Sequence, residues 1–290
     1  MVDKPAGMTS HDVVAKVRKL AGTRKVGHAG TLDPMATGLL VLGIESATKL
    51  LTFVFGADKT YVATIRLGLS TITDDREGEV IGQASSERIT AVTNEQIDFE
   101  LSKLRGVIQQ VPSAVSAIKV NGEKAYDRVR AGEVFELRSR EVTISKLEAV
   151  GEIRREANHL DLDIVVDCSS GTYIRAIARD LGAALGVGGH LTELRRTRIG
   201  KFNVEDAMKL DSGVTPLPYI PAVEAVKNIL PTLEISAEEA LFIRQGKRIT
   251  GEAAALTALT LKNTLVAVAE PAGKQSIKSV VVFNDEVAND

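Results

Sequence analysis

The residues best placed to do chemistry lie in one short stretch, Arg24 to Gly43, R-K-V-G-H-A-G-T-L-D-P-M-A-T-G-L-L-V-L-G. It begins basic and ends as an apolar run. Between these ends, Gly27, Ala29, Gly30, Ala36, Thr37 and Gly38 are too small to build a core. They let backbone approach backbone, or a ligand, closely. Only His28 and Asp33 can titrate within this small-residue segment, and Pro34 biases Asp33 towards an extended conformation. A single carboxylate is therefore presented from a stiff loop. Such a group can act as a nucleophile. It can also simply cap a turn with its own side chain, the ordinary fate of an isolated Asp-Pro. The other candidate nucleophile is the single Cys168, in V-V-D-C-S-S-G. No His, Lys or Arg lies within the five residues before it to lower its pKa, so it reads as buried packing. It leaves no partner for an internal disulfide, and the four widely spaced His offer no metal-ligand pattern.

The elements that must carry this loop are legible on either side of it. Residues 1–4 read as a strand stopped by Pro5. Thr9 or Ser10 can cap a helix to Leu20, with Val13, Val14, Val17 and Leu20 on one face and Lys16 and Lys19 on the other. Residues 39–44 read as one buried strand, followed by a helix over 46–55. Residues 59–70 alternate, with Tyr61, Ala63, Ile65 and Leu67 on one side and Thr60, Val62, Thr64 and Arg66 on the other. The polar run T-I-T-D-D-R-E-G-E-V reads as an acidic turn. A helix is expected over 93–105, closed by Gly106. A strand over 115–120, a turn at Asn121-Gly122 and a short helix over 124–131 come next. Residues 142–149 and 160–168 read as strands joined through a loop at 151–158, and 172–185 as a helix ended by Gly186. Past a connector at 217–221, Ser236 and Glu239 form a capping box opening a helix to Gly246. Residues 264–269 then pair with 277–283. Many strands interrupted by helices, with hairpin connections, predict the α+β class: a mixed, largely antiparallel sheet flanked by helices, with a small β-rich C-terminal domain. The expected division is 1–215 and 230–290.

The chain has 290 residues, 44% apolar and 26% charged. That is the profile of a globular protein, long enough for one large domain or two. No apolar run approaches the roughly 20 residues needed to span a membrane. No targeting leader is visible, so a cytoplasmic protein is expected. The net charge of 36 − 38 = −2 is unlike that of a general RNA binder. The basic residues are striped, however. Lys16, Arg18, Lys19, Arg24 and Lys25 fall within 13–25, and Arg195, Arg196, Arg198 and Lys201 within 194–201, with no acid in either stretch. Such stripes can grip phosphates, or they can be a solvated helix face and strand edge. From Phe202 onward 8 basic residues face 12 acidic ones, a shift consistent with a separate C-terminal unit.

G-H-A-G-T-L-D-P-M-A-T-G, over 27–38, resembles the central motif of the bacterial tRNA pseudouridine-55 synthases, the TruB family. It is followed at similar distances by K-T-Y (59–61), S-A-I-K-V-N-G (116–122), G-T-Y-I-R (171–175) and L-R-R-T-R (194–198). The resemblance runs from Val2 to Phe202. It implies the pseudouridine synthase fold, and the C-terminal pattern resembles the PUA-like module appended in that family. The implied reaction turns a uridine of the tRNA T-loop, position 55, into pseudouridine. The bond from ribose to base nitrogen breaks, the uracil turns, and it rejoins through carbon 5. An internal rearrangement of this kind requires no cofactor and no metal. It does require a group that stabilises the detached intermediate, and a carboxylate suits that role, as in retaining glycosidases.

The resemblance implies that Asp33 is the nucleophile; whether it attacks sugar or base is left open. Arg175 is implied to pair with Asp33, offsetting the desolvation that would otherwise keep the carboxyl protonated. Tyr173 and Arg175 would face one side in an extended segment and splay on the first turn of a helix. Tyr173 is implied to lie against the nucleotide. Tyr61 is implied to stack on uracil with its hydroxyl near carbon 5, and Leu194 to back the flipped base as an apolar wall. His28 is the candidate to fill the space that the extruded base vacates. Asp75 is implied to shape the site, and Lys4 and Pro5 to support it. The expected partner is the tRNA T-loop alone: no membrane, no obligate protein partner, a monomer. Two other readings share these features, a tRNA-binding folding factor (an RNA chaperone) with secondary catalysis, and a synthase acting on rRNA or guide-directed sites.

Overall fold

Strict alternation builds the centre of the molecule. In the computed structural model, which describes residues 1–113, 119–120, 123–124, 138–210 and 216–283, the run Lys59–Leu67 is a strand with Tyr61, Ala63, Ile65 and Leu67 buried. Its other face carries Thr60, Val62, Thr64 and Arg66, and its polar members reach across to the next strand. Thr64 donates to Asp163 at 2.7 Å, and Arg66 makes a two-pronged contact with Asp161 at 2.8 and 2.7 Å. The strand stops at Gly68, whose φ of +111° suits glycine alone.

In chain order, β1 (Val2–Lys4) leads to α1 (Ser10–Ala21), β2 (Val26–His28), β3 (Thr37–Leu40) and β4 (Leu42–Ile44). A 3₁₀ segment, Glu45–Leu50, runs into the short α2 (Leu51–Phe55). Then come β5 (Lys59–Leu67), β6 (Leu69–Thr71), β7 (Val80–Gln83), α3 (Ser86–Ala91), α4 (Asn94–Lys103) and β8 (Gly106–Gln110). The two-residue strands β9 (Lys119–Val120) and β10 (Glu123–Lys124) pair with each other. The turn expected at Asn121-Gly122 and the helix expected over 124–131 fall outside the described residues. The long β11 (Arg140–Arg155) pairs with β12 (Leu160–Cys168), followed by α5 (Ile174–Ala184), β13 (Gly189–Ile199), β14 (Phe202–Asn203) and β15 (Met208–Lys209). The remainder is α6 (Ala222–Lys227), β16 (Thr232–Glu234), α7 (Ala237–Arg244), β17 (Ile249–Thr250), β18 (Thr257–Leu261), β19 (Thr264–Pro271) and β20 (Ser276–Val282).

Nine strands form one sheet in the order β15-β1-β3-β13-β5-β12-β11-β8, with β14 attached to β13. Only the β1/β15 and β3/β13 pairings are parallel. The mixed, largely antiparallel α+β sheet expected from the sequence is thus the sheet found. Helices α4 and α5 supply Ile97, Leu101, Ile177 and Leu181 to its main apolar cluster. Helix α1 opens with the Thr9 and Asp12 capping box and packs Val13, Val14 and Val17 against Val2, Val26 and Leu40. A second sheet, β16-β18-β19-β20-β17, is the β-rich C-terminal unit, with its own core around Val266, Ala267 and Ile277. Its other apolar side shares a cluster with Leu50 and Phe53 of the first part. Lys49 also donates to the Val282 carbonyl at 2.8 Å.

Four expectations need correction. The expected strand over 39–44 is two strands in different sheets: β3 lies between β1 and β13, whereas β4 pairs β2. The helix expected over 46–55 is α-helical only over Leu51–Phe55. The loop expected at 151–158 is largely strand, because β11 continues past Gly151 by a bulge between Val150 and Arg154. Most important, 194–201 is no solvated edge. It lies in and just past β13, which sits in the middle of the sheet between β3 and β5.

Gly38 shows why the motif loop is built of small residues. With φ at +101°, a Cβ placed there would lie 2.2 Å from the Arg196 carbonyl oxygen of β13 and 2.8 Å from its nitrogen. Gly38→Ala is expected to lower stability by about 3 kcal/mol or more, since strain and a backbone clash act together. Urea unfolding measures this; a loss within about 0.5 kcal/mol, as for an ordinary surface change, would contradict it.

Candidate active site

The motif loop is clamped on both sides of Asp33. Ser10, at the start of α1, accepts from the Leu32 amide at 2.9 Å and donates to the Leu32 carbonyl at 3.2 Å. On the other side the Pro34 carbonyl accepts from the Gly7 amide at 2.9 Å and from Lys4 Nζ at 3.2 Å. Lys4 is fully buried and also donates to the carbonyls of Pro5 and Met8, at 2.9 and 2.6 Å. Burial lowers its pKa to about 8, with the Asp33 charge the largest opposing influence. The Ala36 amide closes the bend onto the Asp33 carbonyl at 3.1 Å.

Arg175 reaches this bend from the first turn of α5. Its Nε lies 3.1 Å from Asp33 Oδ2, and Nη2 donates to Oδ1 at 3.3 Å. Its Nη1 donates to Asp75 Oδ2 at 3.1 Å and to the Thr73 carbonyl at 2.8 Å. One guanidinium therefore bridges two carboxylates. Asp75 is a fixed anchor: Thr73 Oγ1 donates to Oδ1 at 2.6 Å and the Glu77 amide at 3.0 Å. The Asp75 side chain is 5% exposed and that of Arg175 6%, while Asp33 keeps 34%. Asp33 is thus the open end of the chain of charges. Desolvation pushes its carboxyl above the usual value; Arg175 opposes this and the Asp75 charge adds to it.

The apolar residues flanking these charges form one cluster. Leu32, Met35 and Ala36 from the loop join Tyr61, Leu194 and Ile174 in it. Tyr61 is 8% exposed; burial raises the pKa of its phenol. Leu194, 7% exposed, stands opposite Ala63 on the neighbouring strand. Tyr173 is the N-cap residue of α5, and the Arg140 guanidinium lies 5.2 Å from the centre of its ring. His28 closes β2, and its ring meets His11 of α1 edge-on at 5.8 Å. Its Nδ1 is buried without a partner, and desolvation lowers its pKa, which leaves the ring neutral at pH 7. Cys168 is packing: it is 2% exposed, and burial pushes the thiol up to about 11. Among the described residues no group of three or more His, Cys, Asp or Glu could hold a metal ion, and no helix is long and apolar enough to cross a membrane.

The family model for "TruB family pseudouridylate synthase (N terminal domain)" matches residues 18–174, and that for "tRNA pseudouridylate synthase B C-terminal domain" matches 175–212. The chain belongs to the TruB family. The TruB boundary between the two models falls between Ile174 and Arg175, inside α5, and both matches end before the second sheet. Among curated TruB relatives, the tRNA pseudouridine synthase B of Leifsonia xyli subsp. xyli is 51% identical, covering 99% of this chain and 97% of its own. That of Arthrobacter sp. strain FB24 is 53% identical over 98% and 95%. Among solved structures, a chain of an H/ACA RNP bound to a substrate RNA containing 2′-deoxyuridine superposes with a TM-score of 0.69. It is 25% identical, covering 98% of this chain and 84% of that one. A chain of a Cbf5-Nop10-Gar1 complex gives 0.68 at 27% identity, over 97% and 83%.

Three features of this TruB site were not foreseen from the sequence. Gln110 at the end of β8 clamps the Tyr173 backbone, accepting from its amide at 2.8 Å and donating to its carbonyl at 3.1 Å. Nothing in a lone Gln signals this. Arg196 is 1% exposed, at the heart of the sheet. Its alternation with Leu194 could have shown that it points inward. The arginines of the second basic stripe are also held by internal partners, while Lys201 is exposed. Arg195 grips Asp3 at 2.9 and 2.8 Å, and Arg198 binds Asp167 at 3.2 Å and the Gly200 carbonyl at 2.8 Å. Its arginines are therefore already engaged by protein groups. In the first stripe Lys16, Lys19 and Arg24 are exposed.

The Asp33 geometry fixes the sign of a stability effect. A carboxyl whose folded pKa lies above its unfolded one binds its proton more tightly when folded. Stability is therefore lost as pH rises through that window, and the loss is full above the folded value. Asp33→Asn removes the charge and leaves Arg175 anchored on Asp75. The variant is expected to match or exceed the unsubstituted protein in urea unfolding at neutral pH, with the difference shrinking as pH falls and vanishing only below the unfolded aspartate value of about 3.9. A variant clearly less stable at neutral pH would contradict this.

Proposed function

We propose that this chain isomerises uridine to pseudouridine in tRNA, at position 55 of the T-loop, with Asp33 as the nucleophile. The observation that carries the reading is the accessible Asp33 carboxylate, held from behind by an arginine that a second, buried carboxylate already fixes. The family relatives named for the same reaction support it. Arg175 keeps Asp33 ionised and aimed. Asp33 bonds covalently to the detached intermediate while the uracil turns, and the reaction consumes no redox equivalent. Tyr61 lies under the base and its oxygen takes the proton from carbon 5. Leu194 and the loop residues Leu32 and Met35 give the extruded base an apolar wall. His28, neutral and with a free ring nitrogen, occupies the place the base leaves. Tyr173, at the N-cap of α5, contacts the nucleotide. On this reading residues 1–215 are the catalytic domain and 230–290 a PUA-like module that adds affinity. The protein works as a cytoplasmic monomer on tRNA.

The substitution Asp33→Asn tests the chemistry. With tRNA tritiated at carbon 5 of uridine, release of tritium is expected to vanish while tRNA affinity stays within about two-fold, because the site loses charge but not shape. Surviving release would exclude Asp33 as nucleophile. A protein that only helped tRNA to fold would be indifferent to the change.

Phosphate binding is expected on the exposed stripe of α1 and the turn after it. Replacing Lys16, Lys19 and Arg24 together by Ala should flatten the dependence of log affinity on log salt by about 2 to 3, close to one for each phosphate that the variant no longer neutralises. An unchanged slope would mean that these three residues meet only solvent.

A further inference from the structure

Arg196 is a buried cation that the proposed chemistry leaves unused. It rises from the middle of β13 opposite Tyr61 of β5. Its Nε donates to the Leu39 carbonyl at 2.8 Å and its Nη2 to the Gly30 carbonyl at 3.0 Å, one at each end of the motif loop. As directly opposed cross-strand residues, both buried, the two side chains lie next to each other on one face of the sheet. Among the described residues Arg196 has no carboxylate partner. Its charge adds to burial in lowering the pKa of three basic groups, Lys4 of β1, His28 of β2 and Lys59 of β5. The charged and titratable groups that act on the Tyr61 phenol are Arg196, Cys168 from β12 and Asp33 from the loop. A buried guanidinium without an acid is costly before its hydrogen bonds are counted. Leucine or methionine would fill the same volume. Holding two loop carbonyls accounts for the donors used, but not for a net charge placed beside a phenol.

We infer that Arg196 is a positioning residue for proton removal: it fixes the Tyr61 hydroxyl in the frame of the motif loop and supplies the positive charge beside which that oxygen becomes negative. This rests on the role proposed for Tyr61 above. In the step concerned, carbon 5 has joined the ribose and still bears its hydrogen. The C5–H bond breaks and its electron pair restores the C5–C6 double bond, while the C6–N1 π pair returns to N1, which takes up a proton from water. The proton passes to the ionised Tyr61 oxygen, which returns it to water. Nothing is oxidised or reduced. Burial resists ionisation of Tyr61, and Arg196 is the largest opposing influence, with the Asp33 charge acting in the direction of burial.

The test pairs substitution at Arg196 with a more acidic phenol at position 61. Arg196→Gln and Arg196→Lys are each prepared with either tyrosine or 3,5-difluorotyrosine at position 61, and tritium release from C5-labelled tRNA is followed under saturation. Arg196→Gln should slow release by about ten-fold or more with tRNA affinity little changed, a part of the roughly 10²–10⁴-fold that a general base contributes. Fluorination should recover most of that loss, and it should change the unsubstituted protein little. Arg196→Lys, which keeps the charge, should fall between. Full activity in Arg196→Gln, or a loss that fluorination leaves untouched, would overturn the inference. Where Arg196→Gln does not fold, the same pairing in Arg196→Lys decides. Absence of tritium release from the unsubstituted protein would remove the proposed function and this inference with it. Release there with no recovery in the variants removes the inference alone.

Discussion

The structure turns on one shared guanidinium. Arg175 could have paired with Asp33 alone, and the result would have been a quenched, partly buried ion pair. Asp75 changes the balance. It holds Arg175 through Nη1 and is itself held by the Thr73 hydroxyl and the Glu77 amide. The arginine is therefore fixed whether or not Asp33 is charged. Its Nε edge faces an acid that is free to react. This is preorganisation: the charged environment is built during folding, not during the reaction. Its cost is a second carboxylate nearby, which adds to burial in pushing the Asp33 carboxyl upward.

Around that bridge the fold holds its buried cations with few acids. Lys4 is satisfied by three carbonyls, Lys59 by the carbonyls of Phe55 and Ala57 at 2.9 and 2.7 Å, and Arg196 by those of Gly30 and Leu39. Each ties a loop to a strand. In every case backbone oxygen replaces a carboxylate, so the positive charge is not cancelled locally. The region near the motif loop thus stays electropositive inside a chain whose net charge is −2. That eases the tension between an acidic composition and a polyanionic substrate: part of the positive charge is interior and fixed, and the α1 stripe adds charge at the surface.

Much of the site was legible in the sequence because its signals are local. Asp33 stands out by the small residues around it and the proline after it. The alternation around Tyr61 marks a half-buried strand. Thr9 and Asp12 announce the start of α1, and Glu239 follows Ser236 in the same way in α7. What stayed hidden depends on partners far along the chain. The charged run in β13 looks like surface because Arg195 and Arg198 are satisfied by Asp3 and Asp167, 192 and 31 residues away. Residues 39–44 look like one strand because nothing in the apolar run shows that the chain changes sheets at Val41. The helix at α3 and the strand at β8 are short, and β8 has exposed apolar residues such as Val107, so neither carries a clear period.

The claim beneath all of this is that Arg175 sets the ionisation of a desolvated Asp33. Carbon-13 NMR of protein labelled at the aspartate carboxyl carbon reads it directly, with the resonance assigned by its loss in Asp33→Asn. The carboxyl should titrate above the ordinary aspartate range, and substituting Arg175 by Gln should move it higher still. A carboxyl that titrates at the ordinary value and ignores the Arg175 substitution would mean that Asp33 faces water without help, and the account would fail.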